Sequence, residues 1–184
     1  MSQITDYWFW DKFFSKEEIQ QINEFIEQEH EGLESDNVKG YGKRVSDVKN
    51  ISYGKIKHLV HKLVDIAYFT TNVKFGYQTF EPRDSQNLIL NTYVSDSKDS
   101  YDWHIDTDSS LLFDTKCTLV INASTDEYEG GGFQFFQNYE QDIKPLDTVG
   151  SVVLIKSHIN HRVLPVTKGT RKSLVMFITG NKFQ

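Results

Sequence analysis

Residues 101–106 read Tyr101-Asp102-Trp103-His104-Ile105-Asp106. As a β-strand, this stretch puts side chains two apart on one face, so His104 and Asp106 offer an imidazole and a carboxylate to the same side. A second imidazole, His161, opens the segment His161-Arg-Val-Leu-Pro-Val-Thr-Lys-Gly-Thr-Arg171 and must come from a different strand. Two imidazoles and one carboxylate are the donor set of a facial triad, which holds non-haem Fe(II) and leaves coordination positions open. Arg171, ten positions after His161, adds a planar cation of the kind that grips a carboxylate through two hydrogen bonds. An open ferrous site beside such a clamp points to an oxygenase that uses an oxo-acid cosubstrate.

Outward from this strand the pattern stays short and strand-like. Candidates are 73–80, 86–94, 101–106, 116–122, 132–136, 151–156, 162–166 and 172–179, separated by polar or glycine-containing turns. The N-terminal part reads differently. Ser15-Lys-Glu-Glu18 is a capping-box pattern, and Ile19, Ile22, Phe25 and Ile26 follow at helical spacing, which predicts a helix over Lys16–Gln28. A second amphipathic helix is expected over Tyr53–Thr70, with Ile56, Leu59, Val60, Leu63, Val64 and Ala67 on one side. Residues 31–52 read as a loop with a short strand. The expected fold is mainly β: a double-stranded β-helix, or jelly roll, over about 73–184, with N-terminal α-helices (about 1–72) packed on it as a buttress.

Composition narrows the function. A chain of 184 residues is most simply one domain with a core of its own. Aromatic content is 14%, with 13 Phe and 9 Tyr, which favours a strand-rich interior. Cys117 stands alone, so no intramolecular disulfide forms, and it reads as a buried small apolar residue. The first residues lack the pattern of a signal peptide, and no apolar run reaches the length of a membrane span, so a soluble, cytoplasmic protein is expected. A formal charge of −6 without a Lys/Arg stripe argues against nucleic-acid binding as the main activity.

The other histidines have ordinary explanations. His30 falls at the end of the first helix, in a solvated or capping position. His58 and His61 lie three apart on the second helix with nothing nearby to complete a zinc site. His158 competes with His161 but sits in the turn before the strand. Asp102 and Asp108, each two positions from a member of the pair, are alternative ligands. Each imidazole also needs an acceptor for its outward N–H, and the sequence does not name one. Trp103 should point away from His104 and pack, and Trp8 and Trp10 should pack the N-terminal segment onto the barrel.

The segments Leu90-Asn-Thr-Tyr93, Tyr101-Asp-Trp-His104-Ile-Asp106, Glu129-Gly-Gly-Gly132-Phe, and Gly150-Ser-Val-Val-Leu-Ile with His161 to Arg171 resemble, in order, the Fe(II)/2-oxoglutarate-dependent dioxygenases. The likeness is to the prolyl 4-hydroxylase-like branch with the bacterial PKHD-type hydroxylases, and covers about residues 86–180. It implies that His104, Asp106 and His161 hold Fe(II), and that 2-oxoglutarate chelates the metal. Arg171 would then pair with the 5-carboxylate and Tyr93 would hydrogen-bond it. Thr118 and Ser173 are further candidates for that pocket, equally explained as ordinary strand positions. Arg162 is a candidate for reaching substrate or for a surface role. The resemblance implies an enzyme that uses O2 and 2-oxoglutarate to hydroxylate a C–H bond of a peptidyl, prolyl or free amino-acid-like substrate, releasing succinate and CO2. Related halogenases lack the carboxylate ligand, so Asp106 favours hydroxylation. Loops at 31–52, 81–86 and 95–101 could form a lid over the substrate. The competing class is a cupin-like jelly-roll metal protein or isomerase, which gives no reason for Arg171.

Overall fold

The computed structural model describes residues 6–30, 36–37, 44–107 and 112–183. Strand β1 (Tyr7–Trp10) precedes helix α1 (Lys16–Glu29), and β2 (Asp36–Asn37), β3 (Arg44–Val45) and β4 (Asp47–Ser52) lead into helix α2 (Tyr53–Val73). Strands β5 (Asn87–Val94), β6 (Ser100–His104), β7 (Asp114–Asn122), β8 (Glu129–Gly130), β9 (Phe133–Phe136) and β10 (Glu140–Asp142) follow. The chain closes with β11 (Val152–Lys156), β12 (Asn160–Val163), β13 (Val166–Lys168) and β14 (Thr170–Gly180).

These strands make a seven-stranded major sheet, β1-β11-β7-β14-β5-β4-β2, and a five-stranded minor sheet, β10-β9-β12-β6-β3, with β13 and β8 as a separate pair. The fold is the expected jelly roll with helices on one side. Alternation along the major sheet builds two apolar layers. Leu88, Leu90, Cys117, Leu119, Ile121, Leu174, Met176 and Ile178 join Ile19, Ile22, Ile26 and the buried face of α2. Val120, Val153 and Ile155 meet Phe133, Phe135 and Val163 of the minor sheet. Each fully buried aliphatic side chain contributes roughly 1.5–3 kcal/mol, so the helices are held chiefly by this layer. The capping box adds to α1: Ser15 Oγ accepts from the Glu18 N–H, and Glu18 accepts from the Ser15 N–H.

Some expectations change. The predicted strand 73–80 does not form. Helix α2 runs on to Val73, Gly76 turns left-handed (φ 73°), and the segment's only ladder contact among the described residues is a bridge from Thr79 to Gly180. Phe75 and Tyr77 instead pack against the helix-side core. Predicted strand 162–166 splits into β12 and β13, because Pro165 has no N–H for a ladder. The N-terminal part, expected to be a helical buttress, also contributes β1 and β4 to the major sheet. β4 falls within the expected loop 31–52, of which residues 31–35 and 38–43 lie outside the described residues. No helix among the described residues is long and apolar enough to cross a membrane.

Candidate active site

The minor sheet supplies the imidazoles. β6 and β12 run antiparallel with His104 directly opposite His161. His104 Nδ1 lies 2.7 Å from the Asp102 carbonyl oxygen, and His161 Nδ1 lies 2.9 Å from that of Ile159. Each ring thus donates Nδ1–H to the carbonyl two residues back, within β6 for His104 and in the turn just before β12 for His161, which turns Nε2 toward Asp106. Asp106 lies beyond the end of β6, where its backbone N–H donates to the Ser157 carbonyl at 2.9 Å. Its Oδ1 is 3.6 Å from His104 Nε2, and its Oδ2 is 3.3 Å from His161 Nε2. Thr118 Oγ1, from the major sheet, donates to Oδ2 at 2.7 Å. One ligand atom from each of His104, Asp106 and His161 falls within 4.8 Å of the others. Burial pushes the Asp106 carboxyl up, but the hydrogen bond and charge of His161, then Thr118 and the charge of His104, outweigh it and hold the carboxyl below its usual range.

A cavity of about 110 Å³ opens beside these three residues, with Ile89, Val120, Phe133 and Val175 among its walls. Arg171, Tyr93 and Ser173 line it too. Arg171 is 1% exposed, its Nη1 has no hydrogen-bond partner, and its Cζ lies 5.5 Å from the centre of the Tyr93 ring, the residue opposite it on β5. A buried guanidinium N–H without a partner costs free energy, and an anion entering the cavity would relieve that cost. Gly131 gives the arginine stem its room: a side chain there would lie 2.7 Å from Arg171 Cδ, at a backbone φ of 64° that disfavours one. A larger open recess of about 660 Å³, bordered by Lys16, Asp126, Glu127 and Lys168, shares no residue with this cavity and holds none of the three candidate ligands.

Of the remaining candidates, Thr118 and Ser173 both line the cavity, and Arg162 does not. Arg162 lies on the outer face of the minor sheet, 4.3 Å from the Trp103 ring, and donates to Gln134 and Glu140. Trp103 faces the same way and meets Phe136 edge-on, as its alternation with His104 requires. His158 is exposed in a turn, and the Nδ1 atoms of His30, His58 and His61 each lie against a nearby helix carbonyl, with the His58 ring also edge-on to Phe25. The Asp102 carboxylate accepts from the Trp103 N–H and is not in the cluster; Asp108 lies outside the described residues. Tyr101 is the residue that alternation misses. A register shift pairs His104 with His161 but Tyr101 with Val163, three residues against two, and this bulge turns Tyr101 toward the cavity. Its ring stacks on His104 with centroids 3.5 Å apart.

The donor set fits a divalent iron: two imidazole nitrogens, which give up any proton on binding a metal, and an ionised carboxylate, with a buried cation nearby for a ligand's carboxylate. Residues 88–179, half of the chain, match the model of the 2OG-Fe(II) oxygenase superfamily. The chain belongs to the 2OG-Fe(II) oxygenase superfamily. Fe(II), 2-oxoglutarate and O2 are the cofactors of that superfamily. Within the oxygenase, 66 residues are 42% identical to a PKHD-type hydroxylase of Xylella fastidiosa (strain M12), a match covering 35% of this chain and 27% of that protein. The matched stretch is thus about a quarter of the curated relative's length. A prolyl-4-hydroxylase of Pseudomonas putida superposes with a TM-score of 0.76 at 15% identity, over 96% of this chain and 94% of that one. A prolyl hydroxylase of Trichoplax adhaerens, solved with a peptide fragment of the hypoxia inducible factor oxygen degradation domain, gives 0.72 at 15% identity, over 94% and 83%. At these identities, the structural likeness speaks for the fold.

Proposed function

We propose that the chain is a single Fe(II)/2-oxoglutarate dioxygenase domain that hydroxylates a C–H bond of a peptidyl substrate, with a prolyl side chain as the first choice and a free amino-acid-like substrate as the second. The observation that carries this reading is one small cavity holding both the His104, Asp106 and His161 donors and the unpartnered Nη1 of a buried arginine. His104, Asp106 and His161 would hold the iron, and Arg171 with Tyr93 would hold the 5-carboxylate of 2-oxoglutarate. When bound, the iron supplies oxidative decarboxylation of 2-oxoglutarate by O2 to succinate and CO2, coupled to hydroxylation of the substrate.

The protein's part is orientation. The two carbonyl-anchored imidazoles keep Nε2 pointed inward, Asp106 stays ionised, and Arg171 fixes the far end of the cosubstrate. The apolar walls of Ile89, Val120 and Val175 keep water from the reacting centre. The prolyl choice draws support from the prolyl-4-hydroxylase and the peptide-bound prolyl hydroxylase that share the fold. The test is succinate formation from 2-oxoglutarate with proline-containing peptides and with free proline, followed by mass analysis of the peptide. Succinate together with a one-oxygen gain on proline is expected. Metal binding with no succinate under any condition would favour a cupin-like metal protein instead.

A further inference from the structure

We propose that Thr118 is a positioning residue: its hydroxyl, delivered from the major sheet, aims the Asp106 carboxylate at the two imidazoles of the minor sheet and so sets the affinity for metal. The proposal rests on the metal-site reading above and gives Thr118 a task other than contact with the cosubstrate.

The three donors are not held alike. Each histidine is oriented locally, by the carbonyl two residues back. Asp106 has left its strand, and a carboxylate turns readily about its last torsion, which is broad and roughly two-fold. Two contacts reach it from the far side of the cavity. Its backbone N–H donates to Ser157 O, and Ser157 N–H in turn donates to Lys116 O on β7. From the same strand, two residues on, Thr118 Oγ1 reaches Oδ2 at 2.7 Å, within the range of a hydrogen bond to an ionised acceptor. Thr118 is itself 1% exposed and lies between Ile155 of β11 and Phe177 of β14, so its hydroxyl has a rigid base. Strand β7 therefore fixes both the main chain and the side chain of the one ligand that the minor sheet does not. A hydroxyl suits this role, because a single donated proton still leaves carboxylate lone pairs for a cation.

The test compares Mn(II) binding by wild type, Thr118→Val, Thr118→Ser and Asp106→Ala under conditions that need no turnover. Valine keeps the shape and removes the donor, and serine keeps the donor. Mn(II) affinity is expected to fall about 10- to 100-fold in Thr118→Val, the usual effect of removing a group that orients a ligand, and to stay near wild type in Thr118→Ser. The visible bands of the Co(II)-loaded protein should move in the valine variant and not in the serine variant, which a general loss of stability would not produce. Should Thr118→Val fail to fold, Thr118→Ala is read the same way. Wild-type affinity and an unchanged Co(II) spectrum in a folded Thr118→Val protein would overturn the proposal and leave the metal site standing. Absence of Mn(II) binding by wild type itself would overturn both.

Discussion

The two faces of the major sheet are built from the same strands and do opposite work. Along β14, Leu174, Met176 and Ile178 enter the helix-side core, whereas Arg171, Ser173, Val175 and Phe177 line the cavity. Along β7 the same split separates Cys117, Leu119 and Ile121 from Thr118 and Val120. One face buries apolar surface and holds the fold together. The other buries the Arg171 guanidinium, whose unpartnered Nη1 lowers stability until an anion meets it, and the Thr118 hydroxyl, which Asp106 satisfies. Substitutions on the two faces should therefore separate stability from activity.

The largest effect is expected from Asp106→Ala. Succinate formation should fall to background, and the metal-free melting temperature at neutral pH should fall modestly, because the ionised carboxylate loses its Thr118 hydrogen bond and its attraction to the two imidazoles; a coupled succinate assay and a thermal melt check both. Next is Arg171→Ala. Loss of a buried, hydrogen-bonded partner for a charge typically costs about 2–5 kcal/mol, which should appear as a sharply raised 2-oxoglutarate KM. An unchanged KM would remove Arg171 from the cosubstrate's site. On the helix-facing side, Leu174→Ala should cost about 2–5 kcal/mol of stability with the 2-oxoglutarate KM unmoved, measured by urea unfolding. The smallest effect concerns Cys117, fully buried on that face, whose thiol burial pushes up to about 12. Its folded form keeps a proton that the unfolded chain releases above pH 9, so its contribution is present below that pH and lost as pH rises toward 12. Wild type should lose stability across that window more steeply than Cys117→Ala, and the native thiol should ignore a thiol reagent at pH 8.

Much of this contrast can be read from residue order. The central strands β5, β7 and β14 are runs of branched and apolar residues, and their predicted limits fall within two residues of the observed ones. That His104, Asp106 and His161 should meet is legible in their types and spacing, and the structure brings one ligand atom of each within 4.8 Å of the others. Other features depend on partners far away in sequence. Strand β1 exists because Tyr7–Trp10 pairs along β11, and β4 because Asp47–Ser52 pairs along β5. Tyr101 enters the cavity through a bulge that strict alternation cannot anticipate. Conversely, Val73, Phe75 and Tyr77 imitate a strand's alternation, while Phe75 and Tyr77 pack against the helix-side core. The carbonyls that orient the imidazoles were invisible because every residue carries one.

The most direct measurement is an anaerobic titration of the metal-free protein with Fe(II) and then 2-oxoglutarate, followed by visible absorption. A weak band that needs both additions and vanishes in His161→Ala is the expected result. Iron bound with a spectrum indifferent to the oxo acid would contradict the shared metal and cosubstrate site.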